Sequence, residues 1–402
     1  MPTLEREARV RAAVRDAFER AQVPLLARLV EQSSCTREPE DVELAARIYD
    51  DAASALGLTI TRHPDPTERY AAHRVYTTPA TLDADRALAL VGHVDTVFPR
   101  AMGFSGFVRE GDVARGPGVL DMKSGLTAML FAIGAVRDAD PDAFARLRVR
   151  AICVSDEEVG SPSSRALFAA LAPRTTAALV FEAGRREDRI VTRRRGGGLW
   201  TIVAHGRASH AGAAHAAGIN AIHAMSLIVP RLEAITDHAR GLTVNVGLFA
   251  GGSAKNTVPE RAEIGIDARF ESARDAAELE ARLAAIVAAP FEGLRDVPEK
   301  LSQVRFELGG GVTRPPMEAS AASQALRLRY EACAARCGLR VGEAPLQGGG
   351  SDANLLSAAG VPSIDGLGPW GEHFHETSEW SSLESLARRT EALALFLLHE
   401  SA

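Results

Sequence analysis

Cysteine is scarce in this chain: Cys35, Cys153, Cys333 and Cys337 are the only four among 402 residues. They are too few and too scattered for a disulfide framework. Cys333 and Cys337 lie four apart in a predicted helix, without a second pair to complete a zinc knuckle. All four therefore read as reduced, buried small hydrophobes. Aromatic residues make up only 5%, so no platform for stacking bases is advertised. An excess of positive charge is also missing: 46 basic residues face 52 acidic ones, a net of −6, which excludes nucleic acid as an expected partner. No run of about 20 apolar residues suited to crossing a membrane stands out. The first twenty residues alternate charge with Ala and Val, unlike the uninterrupted apolar core of a signal peptide. The chain reads as cytoplasmic, with no membrane partner.

What is present is an ordinary globular composition, 46% hydrophobic and 24% charged, long enough for two or three domains at about 150 residues each. Apolar strands are predicted at Ala87 to Val91, Val149 to Val154 and Ala177 to Phe181, with helical patterns at Lys123 to Arg137 and Ser164 to Leu171 between them. Strands alternating with helices imply an α/β domain built on a mainly parallel sheet covered on both faces. From about residue 194 the texture changes to longer alternating strands (Leu199 to Val203, Thr243 to Phe249, Ala262 to Phe270), with helices near Ile219 to Ala239 and Ala273 to Ala288. This reads as an inserted α+β domain. The α/β texture returns near Phe306, with helices at about Ala319 to Cys337 and Leu383 to His399. The expected organisation is residues 1–193 and 306–402 as one catalytic domain, interrupted by a lid or dimerisation domain over 194–305.

Ligands of parallel sheets collect beyond the carboxyl ends of the strands, so the residues that follow each strand carry the functional information. Gly92-His93-Val94-Asp95-Thr96 follows the first strand, Ser155-Asp156-Glu157-Glu158-Val159-Gly160 the second and Glu182-Ala183-Gly184 the third, while Gly118-Val119-Leu120-Asp121-Met122-Lys123 lies between the first two. Imidazole and carboxylate groups thus gather at one rim. Zinc takes both kinds of ligand, and a two-metal site needs about one bridging carboxylate and two further protein ligands per ion. His93 and Asp95 share one face of an extended segment, so one can ligate while the other orients it. Asp121, Glu158, Glu182 and a histidine from the C-terminal segment complete five ligands. Glu157 is left beside Glu158 as a candidate general base. The glycine spacing of Gly366-Leu367-Gly368-Pro369-Trp370-Gly371 is a dinucleotide decoy, since no helix follows it.

These motifs resemble the metallopeptidases of the M20 type, close to the glutamate carboxypeptidases and aminoacylases. The resemblance extends through Ala208-Ser209-His210-Ala211-Gly212, Gly251-Gly252-Ser253-Ala254-Lys255-Asn256-Thr257-Val258-Pro259, Gly348-Gly349-Gly350-Ser351-Asp352 and His375-Glu376-Thr377-Ser378-Glu379. It implies His93 and Glu182 on one zinc, Glu158 and His375 on the other, and Asp121 bridging. Cobalt or manganese are possible substitutes. His375 is chosen over His373 because an acid, Glu379, follows it by four residues.

The resemblance further implies that Asp95 supports His93, that Glu157 is the base, and that the Asp121–Met122 peptide is cis. His210 would stabilise an oxyanion from the inserted domain, reaching the partner subunit's site in a homodimer. Asn256 and Arg269 would hold a small substrate through its free carboxylate. The implied reaction is hydrolysis of an amide bond with release of a free C-terminal amino acid. The alternatives are an N-acyl-amino-acid deacylase on the same site and, from another class, a non-catalytic binding protein. Glu182 stands where carboxypeptidase-like members tend towards Asp, a departure that touches the exopeptidase label and not the chemistry.

Overall fold

The computed structural model describes residues 3–401, which divide into two compact units: residues 3–193 with Ala319–Gln347 and 351–401, and Arg194–Glu318 with Gly348–Gly350.

The first unit carries a six-stranded sheet. Its strands are β1 (Thr59–His63), β2 (His73–Thr77), β3 (Ala87–His93), β4 (Val149–Val154), β5 (Thr175–Val180) and the short Ser363–Ile364, in the order β1-β2-β4-β3-β5 and then Ser363–Ile364. The pairs β4/β3, β3/β5 and β5 with Ser363–Ile364 are parallel, while β2 runs antiparallel to β4 and β1 antiparallel to β2. The mainly parallel sheet thus has an antiparallel edge, a common device in large α/β sheets.

β3 and β4 are buried along their whole length, which explains why they read as apolar runs, broken within β4 only by Arg150, whose guanidinium donates to the Arg174 main-chain oxygen at 2.8 Å. Helices Pro39–Ala55, Ser124–Ala139, Ala321–Arg336 and Leu383–Glu400 join the sheet in one apolar core. The helical run Val119–Ala139 is long and apolar enough to cross a membrane, which amends the expectation that no such run exists. It is a core segment, with 89% of its most apolar stretch buried. A second small sheet pairs Trp380–Ser382 with Val113–Arg115 and with Gly371–Glu372, and so ties the segment containing His375 to the chain leading into Asp121. All four cysteines are free and buried.

The second unit is a four-stranded antiparallel sheet of β6 (Gly196–His205), β7 (Thr243–Gly251), β8 (Arg261–Phe270) and β9 (Arg305–Arg314), in the order β7-β8-β6-β9. Alternation is clean on β8, where Ala262, Ile264, Ile266, Ala268 and Phe270 are buried. Helices Ala221–Glu233 and Ala273–Ala288 supply Met225, Ile228, Leu279 and Leu283 to the same core. The expected boundary at 305/306 is corrected. β9 pairs with β6 from Arg305↔His205 to Arg314↔Gly197, so the unit's continuous stretch runs on to Glu318. Its half-buried alternation around Phe306 and Leu308 belongs to an edge strand, not to a returning α/β segment.

Candidate metal centre

Because β3, β4 and β5 run in one direction, the residues following them meet at one edge of the first unit's sheet. His93 ends β3 and is 1% exposed. Its Nδ1 lies 2.9 Å from the main-chain oxygen of Asp95 and 3.4 Å from that residue's Oδ1. A carbonyl only accepts, so Nδ1 carries a proton, and Nε2 is the ring atom left to face a metal once its own proton is displaced. That Nε2 stands 3.3 Å from Asp121 Oδ1 and 3.8 Å from Glu182 Oε1. On the other side of Asp121, His375 Nε2 lies 3.3 Å from Oδ2 and 3.1 Å from Glu158 Oε2. His373 instead faces Glu376, 3.1 Å away.

The result is two groups of three, His93–Asp121–Glu182 and Asp121–Glu158–His375, each with its donor atoms within 4.8 Å of one another. Asp121 belongs to both. Glu157 belongs to neither. Two donors about 2.0–2.1 Å from a tetrahedral ion stand about 3.3 Å apart, close to most of the spacings between these donors. Three buried or nearly buried carboxylates sharing one cleft repel each other unless a cation lies among them. In spacing, charge and donor type, the residues fit a pair of divalent ions.

The protonation of these groups in the metal-free chain follows from the same crowding. Burial and the neighbouring Asp121 push the Glu158 carboxyl up to about 8, and they hold Glu182 well above the usual carboxylate range. Hydrogen bonds to Asp121 and Glu158 raise His375 to about 10. Asp121 is depressed despite its burial, because His375 and His93 both hydrogen-bond to it.

Two positioning groups surround the ligands. The Asp95 carboxylate accepts the hydroxyl of Thr36 at 2.7 Å on Oδ2, the amide of Glu157 at 3.3 Å on Oδ1 and the amide of Glu158 at 3.2 Å on Oδ2. Asp95 therefore fixes the turn that carries both glutamates, while its main-chain oxygen orients His93. Glu379 accepts the amides of Gly118 (2.9 Å), Leu120 (2.7 Å) and Asp121 (2.9 Å), holding the loop that presents Asp121. Gly118 has φ +72°, and a Cβ there would stand 2.6 Å from the Thr96 methyl. The turn therefore requires glycine. The Asp121–Met122 peptide is cis.

Thr36 was not legible as a site residue, since nothing in Ser33-Ser34-Cys35-Thr36 signals a contact with Asp95. Glu379 entered the reading only as the acid that distinguishes His375 from His373. Thr36→Val keeps the side-chain shape but leaves Asp95 with one donor fewer. It should cost about 1.5–3 kcal/mol of stability, as for hydrogen bonds to charged groups, and Thr36→Ser should restore most of it. Thermal melts of the three proteins check this; equal stability of Thr36→Val and the parent would remove Thr36 from the support of the site.

The remaining candidates lie in the second unit. The short strand Ser209–His210 pairs with Thr257–Val258, and the Ala211 amide donates to the Asn256 main-chain oxygen at 2.8 Å. His210 and Asn256 are thus neighbours. His210 Nδ1 accepts the amides of Gly212 (3.1 Å) and Ala213 (3.0 Å), so the imidazole proton sits on Nε2, and the exposed ring offers a donor outward. Arg269 lies on β8 and donates Nε to Asp267 Oδ1 at 3.0 Å and Nη2 to Oδ2 at 2.8 Å. Opposite it, Gly197 leaves room: a Cβ there would come within 2.6 Å of Nη1.

The profile of the peptidase family M20/M25/M40 matches residues 89–399. Carboxypeptidase G2 from Pseudomonas sp. (strain RS-16) is 27% identical over 372 residues, covering 92% of this chain and 86% of that protein. Among solved structures, aminopeptidase PepT from Bacillus cereus superposes with a TM-score of 0.74 at 21% identity, covering 96% of this chain and 99% of that one. A dinuclear metal-binding peptidase of the M20 family from Bacillus subtilis superposes at 0.67 with 15% identity, covering 96% and 99%.

Proposed function

Since this chain belongs to peptidase family M20/M25/M40 and is a carboxypeptidase-like metallopeptidase, we propose that it is a two-zinc hydrolase. It would cleave an amide bond to release a free C-terminal amino acid. The observation that carries this reading is Asp121, whose two oxygens serve two separate His-and-carboxylate groups. His93, Asp121, Glu182, Glu158 and His375 would hold the ions. Zinc ions bound there supply Lewis acidity at the scissile carbonyl and at the attacking water.

The chain's own residues do the rest. Glu157, outside both ligand groups and held by Asp95, takes the proton of the attacking water and returns it to the departing amine. Reaching the partner subunit's site in a homodimer, the Nε2–H of His210 would supply a hydrogen bond to the developing oxyanion, a contribution of about 10²–10³-fold for one donor in such sites. Arg269 has its side edge occupied by Asp267, which leaves the end of the fork for a substrate carboxylate. Similarity to carboxypeptidase G2 supports an amino acid as the carboxylate-bearing product.

The deciding experiment is elemental analysis of gently purified protein, with hydrolysis of peptidyl and N-acyl amino acids assayed in parallel. About two zinc ions per chain and chelator-sensitive release of a C-terminal amino acid from peptidyl substrates are expected. Turnover confined to N-acyl amino acids would make it a deacylase. Metal-free protein that stays inactive after zinc or cobalt is supplied would overturn the catalytic reading.

A homodimer is part of the same proposal. β7 is an edge strand of the second unit's sheet, and on it Leu248 is 74% exposed and Phe249 is 46% exposed. An apolar exposed edge is a template for pairing with another strand. Leu248→Lys combined with Phe249→Glu should convert a dimer into a monomer by light scattering. A dimer that survives both changes would place the interface elsewhere.

A further inference from the structure

A cavity of about 620 Å³ opens where β3, β4 and β5 begin, at the edge of the first unit's sheet opposite the metal centre; Leu88, Val149 and Ala177 reach its wall. Its charge is lopsided. Arg86, Arg146, Arg148 and Arg329 line it against a single carboxylate, Glu400, a surplus of three positive charges in a chain whose net charge is −6. Three of these guanidinium groups are anchored through one nitrogen each. Arg86 Nη2 donates to the Thr175 main-chain oxygen at 2.7 Å, Arg146 Nε to that of Ser401 at 3.1 Å, and Arg329 Nη1 to Glu400 at 2.9 Å. Among the described residues the guanidinium of Arg148 has no hydrogen-bonding or ion-pairing partner.

An anchored guanidinium keeps most of its five N–H groups for another acceptor, and arginine cannot relieve like-charge repulsion by losing its proton. All four side chains are exposed, so a ligand can reach them from solvent. The volume lies in the range of small-molecule sites. We propose that this cavity is a binding site for a small multivalent oxyanion, a phosphate-bearing or polycarboxylate molecule, gripped by Arg148 and the unused edges of Arg86, Arg146 and Arg329. The anion would cross-link the starts of β3, β4 and β5 with the end of helix Leu383–Glu400. It therefore acts on the rigidity of the unit without competing with substrate.

The test is calorimetry on the metal-loaded enzyme with sulfate and with tricarballylate, at ionic strength matched with sodium chloride. These two probes separate a tetrahedral oxyanion from a carboxylate source. Saturable binding of either one is expected, and the same anion should raise the melting temperature. Arg148→Gln should weaken it about ten- to a hundredfold, the worth of a charge-assisted pair, with hydrolysis and melting in chloride unchanged. Arg86→Gln should weaken it as well and guards against a folding defect in the first variant. No saturable binding of either anion, or equal affinity in parent and both variants, overturns the proposal.

Discussion

Glu157→Gln should bind two metal ions per chain as the parent does, and lose turnover by about 10²–10⁴-fold, the range for removal of a general acid–base group. The expectation rests on what holds Glu157 and on what it does not touch. Its amide is fixed by Asp95 Oδ1 at 3.3 Å, so the turn survives a change confined to the side chain. Neither group of metal donors includes it, whereas the adjacent Glu158 places Oε2 3.1 Å from His375. Glutamine keeps the length and the shape of the side chain but cannot accept a proton from water at neutral pH. KM should change far less than kcat, because Glu157 has no part in gripping the substrate. The contrasting variant is Glu158→Gln, which removes a ligand and should lose metal along with activity. Elemental analysis of both proteins beside steady-state kinetics separates the two roles. Loss of metal in Glu157→Gln would make Glu157 a ligand and leave the reaction without its base.

How far such roles can be read from sequence depends on what signals a residue leaves. That His93, Asp121, Glu158 and Glu182 come together was legible because each is a charged or imidazole group at the end of a largely apolar strand or in the glycine-bounded turn between strands. There the alternative, a solvated loop, does not explain the clustering. The strands β3, β4 and β5, and the helices that follow β3 and β4, were legible from their buried apolar character. β2 was not. Its His73-Arg74-Val75-Tyr76-Thr77 looks polar, yet all five residues are buried. Arg74 is accommodated by Glu43 at 2.8 Å and Asp50 at 3.4 Å from the helix Pro39–Ala55, and Tyr76 donates to the same Asp50 at 2.7 Å. Buried charges of this kind are decided by partners far away in sequence, which no local pattern reveals. Thr36 failed in the same way, because its hydroxyl matters only through Asp95, 59 residues on. β9 was missed as part of the second unit because an edge strand buries half as much as a central one, and its three glycines blur the alternation.

Metal binding should tighten, and the stabilisation it gives should grow, as pH rises from about 5.5 to 8. In the metal-free chain Glu158 titrates near 8 instead of the ordinary 4.5, and His375 near 10 instead of 6.5. Both groups therefore bind more protons folded than unfolded, Glu158 between about 4.5 and 8 and His375 between about 6.5 and 10. Stability falls with pH wherever the folded state holds the excess protons. The metal-free chain should accordingly lose stability over this whole interval, first from the cost of ionising Glu158 in its buried place and then from discharging His375. A divalent ion requires the opposite forms, a carboxylate and a neutral imidazole, so its binding must expel those protons and is favoured as they become easier to remove. These are two views of one linkage: the gap in melting temperature between metal-loaded and chelator-treated protein should widen from pH 5.5 to pH 8 as the metal-free chain loses stability. Calorimetric titration with zinc in buffers of different ionisation enthalpy should show net proton release at pH 7. A gap that narrows with rising pH, or zinc uptake without proton release, would mean that the ions do not sit among Asp121, Glu158 and His375, and the metal centre would have to be sought among other residues.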